Sequence, residues 1–234
     1  GDFVLRASVI AKKTWAKAAL LWICTPHNPA GSITRAPDMA DLYKTARDHD
    51  VLLCSDECYA DIYDEDPPVS VLNAATDDAK GCLTYLSLSK RSGMTGYRSG
   101  AVVGDAAAIR ALKSLRTSTG TASPEFVQAA AIAAWSEDHH AAERREIFRH
   151  KRIILGKVFD SLGFDVVGSS AGIYLWVKVD DDLAISSRLL EQGILVTPGR
   201  AFGGGGEGYV RLALVPTLEE CDEAGEALIR CLGT

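Results

Sequence analysis

The 234-residue chain is 47% hydrophobic and 24% charged, with a formal net charge of −6. That is enough apolar content for one large domain or two small ones with a buried core. The acidic balance argues against nucleic-acid binding, which neutralises phosphates with clustered Lys and Arg. No apolar run reaches the ~18 residues that would suggest a membrane span. The opening Gly1-Asp2-Phe3-Val4 lacks the basic and apolar regions of a secretion signal.

The first half alternates short apolar runs with amphipathic stretches. Residues 19–24 form a buried strand by length and content. A helix is predicted over 37–49, where Met39, Leu42, Tyr43 and Ala46 fall at helical spacing. Further strands are predicted at 51–54, 83–87 and 100–104, and a helix at 106–115. This alternation implies an α/β layer. In the second half, helices are predicted at 125–135 and 141–162, the second long and charged on one face. A strand at 172–179, a short helix at 186–192, strands at 194–197 and 209–214 and a closing helix at 218–232 complete an α+β unit. The expected division is 1–142 and 143–234, near Ala142. Six cysteines lack C-x-x-C spacing; they read as buried free thiols in a reducing cytoplasm, and no metal site is expected.

Four segments follow predicted strand ends or interrupt a strand, and in open α/β sheets ligands gather at the carboxyl ends of strands. Thr25-Pro26-His27-Asn28-Pro29-Ala30-Gly31 is either a plain Pro/Gly turn or a loop whose Asn28 amide bonds a ligand oxygen. Ser55-Asp56-Glu57-Cys58-Tyr59 places a carboxylate where a helix cap or a charge partner would sit. The stretch from Ser87 to Gly100 concentrates hydroxyls, three cations and three glycines between two apolar strands. Such a loop suits a phosphate, although it is not a Walker loop; a solvated basic loop would explain its charge but not its position. Arg211 interrupts the alternating strand 209–214; it either points to solvent or grips a carboxylate.

Together these residues answer the needs of one cofactor, pyridoxal 5′-phosphate (PLP). Lys90 offers the amine that would bond its aldehyde. Asp56 would keep the pyridine nitrogen protonated, so that the ring draws electrons. Tyr59 or Asn28 would donate to the ring oxygen, and Ser87 and Arg98 would help to cup the phosphate. Arg211 would clamp the carboxylate of an amino-acid substrate.

In order along the chain, Asn28-Pro29-Ala30-Gly31, Asp56…Tyr59, Ser87…Lys90…Arg98 and Arg211 closely resemble the motifs of the class I/II aminotransferases, the fold-type I PLP enzymes. The resemblance implies that Lys90 carries PLP and shuttles the proton, and that Asp56 pairs with the pyridine nitrogen. By the same resemblance, Tyr59 and Asn28 bond the ring oxygen, Ser87, Ser89 and Arg98 hold the phosphate, and Arg211 takes the substrate α-carboxylate. It implies a PLP-transferase-like large α/β domain, expected here as partial and mostly parallel, followed by a smaller α+β domain. Within the family, residues 87–100 and 122–152 look most like bacterial N-succinyldiaminopimelate aminotransferases. That would mean lysine and cell-wall precursor synthesis with glutamate as amino donor.

Family members begin upstream of the position matching Gly1, so the chain is expected to be a C-terminal portion only. It would lack the small-residue phosphate loop, the aromatic that stacks on the ring, and residues that reach the partner's site. A homodimer acting on an amino acid and a 2-oxo acid follows by resemblance; the cytoplasmic setting is expected from the thiols, and the lack of a membrane or nucleic-acid partner from the composition and charge. Two other readings stand beside transamination: another fold-type I chemistry, such as C–S lyase or decarboxylase activity, and an inert remnant that serves as a binding or assembly module.

Overall fold

The computed structural model describes residues 2–120 and 122–233. The first sheet takes its strands from the first half of the chain. After the short helix α1 (Lys12–Trp15), β1 (Leu20–Cys24) leads into α2 (Ala36–Asp48), then β2 (Leu52–Asp56), the single turn α3 (Val71–Ala74) and β3 (Cys82–Ser87). The turn α4 (Leu88–Arg91) precedes β4 (Gly100–Gly104), and helices α5 (Ala106–Thr119) and α6 (Glu125–Trp135) follow. The long helix α7 (His139–Ser161) then leads to β5 (Tyr174–Lys178), α8 (Asp182–Glu191), β6 (Thr197–Pro198), β7 (Tyr209–Ala213) and α9 (Leu218–Leu232).

The strands of the first sheet run in the order β1-β2-β3-β4. β1, β2 and β3 are parallel, whereas β4 returns antiparallel to β3, pairing Ser87 with Gly100. Helix α2 forms because Pro37 sits in its first turn beside the acidic Asp38, where a missing N–H and a negative charge are both favourable. Its buried stripe of Met39, Leu42, Tyr43 and Ala46 packs with Trp15, Ile23, Leu53 and Cys82 into one continuous core. The expectation of a partial layer is therefore corrected, because the sheet closes a core of its own; β1 to β3 are parallel as expected, and the reversal of β4 makes the sheet mixed. Its other face carries exposed Leu20, Trp22 and Val102.

The second sheet, in the order β5-β7-β6, is antiparallel throughout. Leu175, Val177, Val210 and Leu212 alternate into a core with Phe148, Leu155 and Phe159 of α7 and Leu228 of α9. Tyr59 and Ile62, from just after β2, insert into this second core and join the two units. No helix among the described residues is long and apolar enough to cross a membrane.

Candidate cofactor and substrate site

The sheet topology brings the chemistry-bearing loops together. Parallel β1, β2 and β3 end at one edge, so the loop after Cys24, the residues at and beyond Asp56, and the Ser87–Arg91 turn all emerge there. Antiparallel β4 starts at the same edge, which returns Arg98 to it two residues before Gly100. The Leu88 N–H donates to the Ser99 carbonyl at 3.2 Å and closes the base of this loop.

Asp56 is half-buried, and its Oδ1 accepts the Cys58 N–H at 3.0 Å. Neighbouring residues diverge at a strand end, so Glu57 turns the other way, is buried, and accepts the Val71 N–H at 2.9 Å. Burial raises the Glu57 carboxyl above its usual range, and its hydrogen bonds only partly offset this. Glu57 therefore caps α3, and Asp56 is the carboxylate left at the sheet edge.

Tyr59 is buried against Tyr174, with ring centroids 6.1 Å apart. Burial first, and Tyr174 beside it second, push its phenol above the ordinary value. It is a neutral donor at physiological pH. Cys24 and Cys58 flank Asp56. Burial lifts their thiols to about 11 and about 12, with Asp56 adding to both, so neither is a thiolate nucleophile near neutrality.

Lys90 and Ser89 are half-buried on α4, and the Ser87 Oγ caps that turn by accepting the Ser89 N–H at 3.1 Å. Arg98 is exposed, adopts a left-handed backbone with φ 53°, and donates to the Thr95 carbonyl at 3.1 Å. Tyr97, beside it, is exposed as well.

Arg211 reaches the same edge from β7. Its Nη1 donates to the Asn28 Oδ1 at 3.0 Å and its Nη2 to the Thr197 Oγ1 at 3.4 Å. The guanidinium lies between Tyr174 and Phe202, 4.2 and 4.6 Å from their ring centroids. Its Nε is buried without a hydrogen-bond partner. A buried, unpaired charged donor is costly, which points to an acceptor such as a carboxylate oxygen.

The structure also reveals what the motifs alone do not. Tyr174, Thr197 and Phe202 frame Arg211, and cross-strand register decides it: both Trp176 and Thr197 pair with Arg211. His140, in the first turn of α7, is half-buried; its Nε2 lies 2.7 Å from the Ser92 Oγ. His27, beside Asn28, is half-buried with an unpaired Nδ1, and burial lowers its pKa.

The family model "Aminotransferase class I and II" matches residues 5–228. The chain belongs to the class I and II aminotransferase family, and that membership implies a PLP site. The "probable aminotransferase Rv1178" of Mycobacterium tuberculosis is 39% identical over 94% of this chain and 53% of its own length. The 4-dedimethylamino-4-oxo-anhydrotetracycline transaminase OxyQ of Streptomyces rimosus is 36% identical over 89% of this chain and 59% of its own. The solved structure of a probable N-succinyldiaminopimelate aminotransferase from Thermus thermophilus superposes with a TM-score of 0.88 at 26% identity, covering 99% of this chain and 63% of that one.

These matches correct the expectation that the resemblance is to a C-terminal portion only, because the family model takes in nearly the whole chain. The chain itself spans about half the length of the curated relatives it matches.

Proposed function

We propose that this chain carries the cofactor and substrate groups of a PLP-dependent aminotransferase, which moves an amino group between an amino acid and a 2-oxo acid. The observation that carries this reading is one sheet edge. Asn28, Asp56 and the Lys90 turn emerge there from parallel strands, and Arg211 of the second sheet is bonded to Asn28. The donor set of an amine, a carboxylate, a phenol, an amide, hydroxyls and guanidinium groups fits an anionic pyridine aldehyde and its amino-acid partner.

PLP, when bound, supplies an electron-accepting ring that stabilises negative charge at the substrate α carbon. In this reading Lys90 Nζ holds the cofactor and carries the proton to and from that carbon. The Asp56 carboxylate faces the pyridine nitrogen and keeps its proton in place. The Tyr59 hydroxyl and the Asn28 amide orient the ring oxygen. Ser87, Ser89 and Arg98 take the phosphate, and the Arg211 fork takes the α-carboxylate.

N-succinyl-LL-diaminopimelate with the 2-oxoglutarate/glutamate pair is the substrate set we propose, supported by the likeness to the Thermus protein. The division near Ala142, a cytoplasmic setting and a homodimer belong to the same reading. Support comes from the two separate cores and from cysteines that are all free.

Titration of the purified chain with PLP tests the reading. Saturable binding with a visible absorbance, lost in Lys90→Ala, is expected. Absence of saturable binding by the folded chain would favour the assembly-module reading. Ammonia or thiol release without a new amino acid would favour a lyase.

A further inference from the structure

Arg91 follows the lysine and is 5% exposed, unusual burial for a cation on a loop turn. Its Nη1 donates to the Ala134 carbonyl at 3.1 Å and lies 3.3 Å from the His140 Nε2. Its Nη2 donates to the Glu137 carbonyl at 3.3 Å and to the Asp138 carboxylate. Its Nε lies 3.4 Å from the Asp61 carboxylate, and the guanidinium covers the Trp135 ring at 5.1 Å. The Ala134 carbonyl belongs to the last turn of α6, where a cation also meets the negative end of the helix dipole.

The neighbours of Arg91 are tethered too. Arg144 Nε donates to the Lys90 carbonyl at 3.1 Å, and His140, itself held by Glu137, bonds Ser92. Three consecutive residues are thus fixed to the α6–α7 junction. Successive residues of a helical turn diverge by ~100°, so Arg91 points away from the lysine side chain while holding its backbone.

We propose that Arg91 is a positioning residue, which locks the turn carrying Lys90 to the α6–α7 junction and so sets the direction of the lysine amine at the sheet edge. The inference rests on the PLP reading above. A turn four residues long has no fold of its own to aim a flexible side chain. Precise aim must come from packing and hydrogen bonds outside it. Two carboxylates, two carbonyls and an aromatic face supply that constraint, and an apolar replacement would leave Asp61 and Asp138 without their cation.

The test compares the unsubstituted chain with Arg91→Met and Arg91→Lys. The readouts are circular dichroism, the dissociation constant for PLP and the midpoint pH of the bound cofactor's visible absorbance. Arg91→Met is expected to stay folded, bind PLP roughly tenfold or more weakly and shift the midpoint, since misplacing a reacting group costs that much or more. Arg91→Lys, which retains a charge but not the fork, is expected to recover part of both. Arg149→Met, which removes a surface guanidinium paired with Glu146 on α7, is the control expected to change neither.

A folded Arg91→Met with an unaltered dissociation constant and midpoint overturns the inference and leaves the PLP reading standing. Failure of the unsubstituted chain to bind PLP overturns both. If Arg91→Met does not fold, Asp138→Asn decides the matter, because it takes a carboxylate from Arg91 at a position that is itself exposed. Weaker PLP binding and faster amide exchange over residues 88–93 support the lock, and parent-like values for both overturn it.

Discussion

Arg211 shows what a single side chain owes to its surroundings. Packed between Tyr174 and Phe202, the guanidinium offers ligands its edge, not its faces. Asn28 and Thr197 take two of its nitrogens, and the buried Nε remains for another acceptor. Lysine at this position keeps the charge but not the planar fork. For Arg211→Lys we expect 2-oxoglutarate to bind the PLP-loaded protein about 10- to 100-fold more weakly, the loss of one to two charge-assisted hydrogen bonds. Calorimetric titration measures it, and parent-like affinity would remove Arg211 from the carboxylate site. The sequence exposed Arg211 because a charge interrupts an alternating strand. It did not expose the aromatic clamp, since Tyr174 and Phe202 come from separate segments and meet Arg211 only through register and a turn.

The turn carrying Phe202 is held in place by helix α8. Asp182, 1% exposed in the first turn of that helix, accepts the Arg200 N–H at 3.0 Å, its Nε at 3.1 Å and its Nη2 at 2.7 Å. Arg200 holds the Asp182 carboxyl down at about 2. A depressed carboxylate stabilises the fold fully above its unfolded value of ~3.9 and loses that contribution as pH falls toward 2. Asp182→Asn is therefore expected to cost on the order of 1–2 kcal/mol at pH 7, discounted because Arg200 is part-exposed. The gap to the parent should narrow as pH falls below 4; denaturant midpoints at several pH values follow it, and a gap independent of pH would deny the ion pair its role.

At the far end of the same unit, Thr217 and Glu220 form a reciprocal capping box for α9. Thr217→Ala should lower stability by about 1 kcal/mol, read as a fall in Tm. Helix α9 was legible to the residue, because its cap chemistry and periodicity agree. Helix α8 was not: the expected start at 186 lies four residues late, since the acid-rich run before it reads as loop until Asp181 is seen capping Leu183 and Ala184. The strand expected at 194–197 shrinks to Thr197–Pro198, with Leu195 80% exposed.

Across the whole molecule, the two cores were legible as a change of style along the chain, but the seam between them was not. Gly31 reads as a turn glycine in the motif that contains Asn28. Its backbone does need a left-handed φ of 67°. The stronger demand comes from the other unit: a Cβ on Gly31 would meet the Ala171 carbonyl oxygen at 2.5 Å and the Ser169 Cα at 2.9 Å. The Ser169 N–H donates to the Ala30 carbonyl at this seam. Nearby, buried Arg152 joins Asp64 at 2.9 Å to the Gly172 carbonyl at 3.0 Å. These contacts bring Asn28 and Arg211 together from residues 183 positions apart. Gly31→Ala should therefore do two things at once. It should destabilise the chain by a few kcal/mol, through left-handed strain and a backbone clash. It should also weaken 2-oxoglutarate binding, because parting the seam pulls Asn28 from Arg211. Arg152→Met opens the same seam from the other end and leaves Asp64 without its partner, at about 3–5 kcal/mol. If melting shows both variants destabilised while carboxylate affinity per folded molecule stays at the parent value, the seam supports the fold without shaping the site.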